Sequence, residues 1–426
     1  MKQIMKQGWA VMTALLLTAG IVFTACTQNK NNNETTETET EAEWEPVQTE
    51  VSVDDLKALA EVLPNYYVYG GFHDGLILVS DNETELYGFI DKTGKEVIPC
   101  QFDDAKSFSE GVAIAYKDGQ KLLIDLEGNT IATIGDTYGH ECKNGLLAFL
   151  EKQENTDGEY LLGYMDKTGK VVIPADKYKV VLTERDNFYD FSEGLCRVMD
   201  FDNYRNFFID KTGKEVFECD GYADDFHDGL AAIGKYNEET DEFLFGFIDK
   251  TGKQVIPNKF TAVGQFKDGL CCVFDKEKAG FIDKEGNWVL TGDYKAITLY
   301  EFLEDSAPLC SNFSDGLAWM CNKEGKFGYI DREGKVVIPF RYEPGVDEID
   351  EDEVCYSEQP VFDFHQGLAR VWDKATGKYG YIDKEGNEVF PCEFELADDV
   401  SEGAALVMKD DKFGFVTPDG HSTFDF

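Results

Sequence analysis

Residues 88–99 read GFIDKTGKEVIP. Near-copies follow at 163–174 (GYMDKTGKVVIP), 246–257 (GFIDKTGKQVIP) and 328–339 (GYIDREGKVVIP), with a close relative, GYIDKEGNEVFP, at 380–391. A catalytic motif is normally needed once, whereas a structural unit that stacks on copies of itself is needed many times. Within the dozen residues, Gly-aromatic-Ile-Asp reads as a strand. Asp-Lys-Thr-Gly reads as a hairpin turn: the Asp accepts from amides two residues on, and the Gly supplies positive φ. Glu-Val-Ile-Pro reads as the return strand, with the Pro ending the pairing because it lacks a donor.

Working outward, a second anchor, aromatic-x-acid-Gly-Leu, alternates with the Asp-x-x-Gly turn along the chain. Its glycines are Gly75, Gly111, Gly145, Gly194, Gly229, Gly269, Gly316, Gly367 and Gly403. The turns end at Gly94, Gly128, Gly169, Gly213, Gly252, Gly286, Gly334 and Gly386, and Gly420 closes a ninth in which the Asp is lost. After each anchor glycine comes a short apolar run such as Gly367-Leu368-Ala369-Arg370-Val371, a further strand. The expectation is an all-β chain of about nine three-stranded hairpin repeats over residues 65–426. Intervals between anchors run from 34 residues (Gly111 to Gly145) to 51 (Gly316 to Gly367). Because only three strands can be read per unit, an open, curved solenoid is favoured over a β-propeller, which takes four per blade. The extra length falls at 175–190, 234–246 and 342–360, where function would be added to a repeat scaffold.

The pattern aromatic-Gly-Tyr-Ile-Asp-x-x-Gly-x-x-Val-Ile-Pro, followed by aromatic-x-x-Ala and Phe-x-x-Gly-Leu-Ala, resembles the bacterial WG-repeat (KWG) family from about Gly70 to the C-terminus. The namesake Trp is replaced by Tyr87, Phe245, Phe327, Tyr379 and Phe413, and is eroded to Leu162 and Ala279. The resemblance implies a secreted or surface-anchored β-repeat protein.

The front of the chain, MKQIMKQGWAVMTALLLTAGIVFTAC, has a basic start at Lys2 and Lys6 and an uncharged apolar run to Ala25. That is the layout of a signal peptide (residues 1–25). Phe-Thr-Ala-Cys resembles a bacterial lipobox, with Cys26 as the lipidated residue. Residues 26–50 are polar and acidic and cannot bury enough to fold, so they read as a disordered tether. Residues 51–64 then offer a short helix. Ser52 and Asp55 are placed for a capping box, with Leu56, Leu59, Ala60 and Leu63 on one face. It reads as a cap over the open end of the array.

Length alone, 426 residues, would suggest three domains, but a repeat overrides that prior. Asp and Glu total 83 against 40 Lys and Arg, a net charge of −43. Such a charge repels phosphate backbones and anionic lipid, so nucleic acid is excluded as a partner and the membrane is reached only through the lipid on Cys26. His73, His227 and His365 share one repeat slot with Ser109, Ser192, Lys267 and Ser314, which reads as a solvated loop position. Cys196, Cys271, Cys100 and Cys392 also recur at equivalent slots and read as small buried hydrophobes. No Cys-x-x-Cys, Cys/His metal spacing or cofactor-cradling loop occurs, so no catalytic, metal or cofactor site is assigned and the chain is read as non-enzymatic. The acidic run GVDEIDEDE (345–353) lacks the glycine and spacing of an EF-hand and reads as a solvated loop. The leading expectation is an envelope-anchored lipoprotein that presents a repeat surface to an envelope or extracellular protein. The alternative is a cell-wall glycan-binding module, for which Trp319, Trp288 and Trp372 are the residues to test, with Trp319 and Trp372 near enough to a first strand to be core.

Overall fold

In the computed structural model the described residues are 50–134, 138–139, 141–152, 159–181, 190–200, 205–219, 221–238, 241–275, 278–292, 294, 311–350 and 353–426. The signal-peptide, lipidation and tether readings (1–49, with Cys26) lie outside them.

Each repeat is an antiparallel meander. In blade one the strands are Tyr66–Val68, Leu76–Asp81, Tyr87–Asp91 and Glu96–Phe102, paired in that order. Six sheets have four strands and three have three, followed in sequence as nine blades, and a separate two-stranded hairpin lies between blades seven and eight. The hairpin is Gly345–Asp350 paired with Glu353–Glu358, so the described part of the acidic run is strand rather than a loop; the side chains of 346–358 lie outside the described set.

Packing decides between ring and ribbon. Nine repeats in an open row would share eight interfaces. Here nine apolar cores occur, one between every pair of neighbours. Leu78, Phe89 and Ile98 of blade one meet Phe108 and Ala113 of blade two; at the far end Tyr381 and Phe390 of blade eight meet Val400 and Val407 of blade nine. The ninth core joins the last blade to the first: Leu406 and Phe415 pack with Phe72, Ile77 and Val79. The ring is closed, and the expectation of an open solenoid of three-stranded repeats is corrected to a nine-bladed β-propeller. The missed strand is the first, present among the described residues in seven of the nine blades, and it faces the axis. It can be two residues long, as at Asp104–Ala105, Ala262–Val263 and Leu396–Ala397, too short to leave a periodic signature.

The N-terminal helix is real, but it caps no open end. Helix α1 (Val53–Val62) begins with the expected capping box, Ser52 Oγ accepting from the Asp55 amide and Asp55 accepting from the Ser52 amide. Its Leu56 and Leu59 are fully buried in the ninth core. Blade nine lacks a long outer strand, and a C-terminal turn at Thr423–Asp425 stands there instead. In the other blades the Asp-x-x-Gly turn packs on an outer-strand residue of the preceding blade, as Gly128 does on Ile98 and Gly386 on Ile338. For blade one that partner is helix residue Val62, lying against Gly94. The helix therefore fills the gap left by the truncated last blade.

Two local details account for the motif. The Asp turns are Asx turns: Asp91 Oδ1 accepts from the Thr93 amide at 2.9 Å and the Lys95 amide at 3.1 Å. The leading glycine of GFID has another reason. A Cβ on Gly88 would lie 2.7 Å from both the Cys100 nitrogen and the Ile98 oxygen. The outer strand bulges inward there, shifting register between Tyr87↔Phe102 and Phe89↔Ile98. Pro99 lies inside that strand and does not end it, which corrects the sequence expectation. On an outermost strand the missing donor faces no partner.

Candidate functional site: turn face, insertion face and axis

An up-and-down meander sends alternate connections to opposite faces. First-to-second and third-to-fourth turns share one face, the turn face. Second-to-third turns and the crossovers between blades share the other. On the turn face the connections barely vary. On the opposite face lie the ends of the lengthened strands Leu146–Lys152 with Glu159–Asp166, Leu230–Asn237 with Glu242–Asp249, and Val171–Val181. The hairpin at 345–358 and the crossovers after Gly292 and Tyr342 leave from that same face. Among the described residues the lengthened strand ends are thus gathered on one side of the disc.

The turn face is tied together by acids. The residue before each anchor glycine has positive φ, for example Asp74 at 53° and Glu402 at 49°. At seven of the nine junctions its side chain accepts amide N–H groups from the equivalent turn of the next blade, whereas Asn144 donates to the Phe191 carbonyl and Asp268 accepts from Arg332. Asp74 accepts from Gly111 at 2.7 Å, and Glu110 from Asn144 and Gly145, both at 2.8 Å. Glu193, Asp228, Asp315 and Gln366 accept likewise from Gly229, Gly269, Gly367 and Gly403. Glu402 does the same across the seam between the last blade and the first, accepting from Asp74 at 2.8 Å and Gly75 at 2.7 Å. Bases from the following blade sit over these acids: Lys167 on Glu110, Lys250 on Glu193, Lys284 on Asp228 and Arg332 on Asp268. Burial raises the carboxyls of Asp74 and Glu402 against the lowering pull of the amides they accept. In the hairpin turns the Thr212 hydroxyl holds Asp210 below its ordinary value, and Thr251 does the same for Asp249.

The histidine slot is not a plain solvated loop position. Its serines donate across blade junctions to carbonyls: Ser109 to Cys142, Ser192 to Phe226, Ser314 to Phe364 and Ser401 to Phe72. His365 Nε2 stands 3.7 Å from Asp399. Around the axis, inner strands of blades eight and nine bring together Asp363, His365, Arg370 and Asp399, and Arg370 also lies 3.8 Å over the Phe362 ring. Burial raises Asp363 to about 6, with His365 and Lys267 pulling the other way. A second such group joins Asp190, Lys143 and Asp225. Lys143 donates to Asp190 at 2.6 Å, and burial, reinforced by Asp224, raises Asp225 to about 7. Sequence reasoning missed both groups although a signal was present: Asp190, Asp225, Asp363 and Asp399 all stand four residues before an anchor glycine, and Lys143 and His365 two before.

Cys196 and Cys271 are buried as expected, and Cys100 and Cys392 are half-buried; burial raises the latter two thiols to about 11. Cys272 is disulfide-bonded. Trp319 is core, 5% exposed. Trp288 is half-buried against Phe260 and under Lys278. Among the described residues no group of three or more His, Cys, Asp or Glu is placed to hold a metal ion.

The family of WG-containing repeats matches residues 87–120, 163–204, 245–278, 280–305, 327–343 and 379–413. All six stretches begin within the third strand of a blade. No curated protein matches the sequence. Among solved structures, a eukaryotic initiation factor superposes with a TM-score of 0.53 at 11% identity, over 80% of this chain and 92% of that one. BamB from Moraxella catarrhalis aligns at a TM-score of 0.37 and 11% identity, covering 73% of this chain and 92% of its own. The WD40 β-propeller domain of Doa1 aligns at 0.27 and 13%, covering 63% and 88%. At 11% identity the likeness to the initiation factor bears on fold alone, and no argument rests on the other two.

Proposed function

We propose that this WG-repeat propeller is a non-enzymatic interaction scaffold, held at a bacterial envelope by a lipid on Cys26, which docks another protein on its insertion face. One observation carries the reading: among the described residues the lengthened strand ends gather on one face, while the other carries the acid-to-amide bonds that tie seven of the nine junctions. Variation concentrated on one side of a rigid scaffold is how repeat folds acquire binding specificity. The inserts are also acidic. Residues 343–358 hold eight carboxylates and no Lys or Arg, which suits a basic partner surface.

The test replaces residues 343–359 with the short connection found between blades one and two. A second variant carries Lys→Glu changes at the exposed lysines of the turn face. Each is immobilised and exposed to solubilised envelope from the source cells, and retained proteins are quantified. A partner lost from the first variant and kept by the second is the expected result. A partner lost only from the turn-face variant would move the site to the opposite side. A folded protein that retains nothing above background would end the scaffold reading.

A further inference from the structure

We propose that the groove between blades seven and eight is a binding site for a neutral oligosaccharide, with Trp372 as its stacking platform. It is an open groove of about 610 Å³, lined among others by Arg341, Tyr342, Trp372, Asp373, Glu388 and Cys392. That volume falls within the range of small-molecule sites.

Trp372 distinguishes this junction. In equivalent register, opposite the residue before the third-strand glycine, blade one has Ser80, blade six Phe274, blade seven Cys321 and blade nine Met408. Trp319 packs on Phe327, and Trp288 on Phe260 and Lys278. The half-buried Trp372 ring has no such aromatic or cationic neighbour among the described residues, and only its backbone amide is bonded, to the Pro360 carbonyl at 3.0 Å. An indole lining an open groove offers a ligand both an apolar face and an N–H donor.

The polar groups select the ligand class. Arg341 lies over the Tyr342 ring and donates to the Tyr342 hydroxyl at 3.0 Å and to the Gly386 carbonyl at 2.8 Å, so its guanidinium is held in one orientation. Glu388 is exposed on the outer strand of blade eight. Asp373 is already spent on its own turn, accepting from Thr376 at 3.0 and 2.9 Å. A fixed donor and a free acceptor on either side of an aromatic face match hydroxyls, which donate and accept at once. An anionic ligand meets Glu388 and the net charge of −43, and a cationic one meets Arg341. A pyranose has the required neutral polar rim and apolar ring face. A peptide strand would look for unpaired backbone groups in register, and the second strand of blade eight has both neighbours already.

The test is titration calorimetry on the full chain with hexamers of β-1,4-linked glucose and of β-1,4-linked N-acetylglucosamine, each alone. The variants are Trp372→Ala and Trp372→Phe. Trp288→Phe is the control outside the groove, and circular dichroism confirms that each is folded. The expected result is saturable binding of one sugar by the wild type and the control, weakened at least about tenfold in Trp372→Ala and partly restored in Trp372→Phe. Equal binding by Trp372→Ala, no binding of either sugar by the folded wild type, or a groove that takes a peptide in place of both sugars would overturn the proposal.

Discussion

Removing the Glu402 side chain should open the ring at one place. Its two oxygens accept the Asp74 and Gly75 amides at 2.8 and 2.7 Å, and these bonds cross the junction where the chain is not covalently continuous. Hydrogen bonds to a charged group contribute about 1.5–3 kcal/mol each. The side chain is partly exposed and water can meet one stranded amide, so the low end applies and Glu402→Ala should cost about 3 kcal/mol in total. Glu402→Gln should cost roughly half, because an amide oxygen can serve: Gln366 already does so for Gly403 at 2.9 Å. The same pair of bonds exists inside the ring, where Glu110 meets Asn144 and Gly145, so Glu110→Ala is the matched control. Native-state hydrogen exchange separates the two, since it reads local opening strand by strand. In Glu402→Ala the amides of Leu76–Asp81 and Ala405–Lys409 should lose protection together while blades three to seven stay closed; in Glu110→Ala the seam should stay protected. If Glu402→Ala leaves seam protection within about 0.5 kcal/mol of wild type, the closure argument is wrong.

Four further outcomes follow from the same geometry. Asp363 is raised to about 6, chiefly by burial, so the folded state binds its proton more tightly than the unfolded chain. Its contribution is unfavourable above that value and vanishes near pH 4; Asp363→Asn should therefore gain on the order of 2 kcal/mol at pH 8 and nothing at pH 4, read from urea midpoints. Gly246→Ala would place a Cβ 2.4 Å from the Ile256 oxygen and 2.8 Å from the Asn258 nitrogen, and should cost about 3 kcal/mol or more in a thermal melt. Burial holds Cys142, Cys196 and Cys271 in the thiol form, so iodoacetamide at pH 8 should leave them unlabelled until the protein unfolds, as peptide mass mapping would reveal. Cys272 should escape labelling even in the unfolded chain unless a reductant is present.

What could be read in the sequence was what is local and repeated. Alternation of two glycine anchors counts the blades, because each anchor marks a turn whose backbone needs positive φ. The Ser52–Asp55 capping box was legible for the same reason: both bonds span three residues. Trp319 was placed in the core from its position on an apolar strand. What escaped was short, distant or unevenly distributed. A two-residue inner strand such as Ala262–Val263 has no period to detect. Closure depends on contacts between residues such as Phe72 and Phe415, which no local pattern encodes. The role of Pro99 was misjudged because the rule that Pro ends pairing applies to inner strands, and the strand's position in the sheet was not yet known. The buried carboxylates at the axis escaped although Asp225 and Asp363 share a slot four residues before the anchor glycine with Asp190 and Asp399, because a recurring acid does not declare its burial until the fold surrounds it.

Helix α1 also sets where mechanical load enters. It is clamped to blade one, with Lys92 donating to the Glu50 carbonyl at 2.6 Å, and it packs on Phe415 of blade nine. Tension arriving from upstream of Glu50 therefore falls on the one junction of the ring that no peptide bond crosses. Pulled along the helix axis, the apolar contacts of Leu56 and Leu59 resist in shear; pulled outward, they peel in succession. A pull on the chain at Glu50 would in that case act first on closure, turning the seam into the part of the molecule that yields under force while the other eight junctions remain intact.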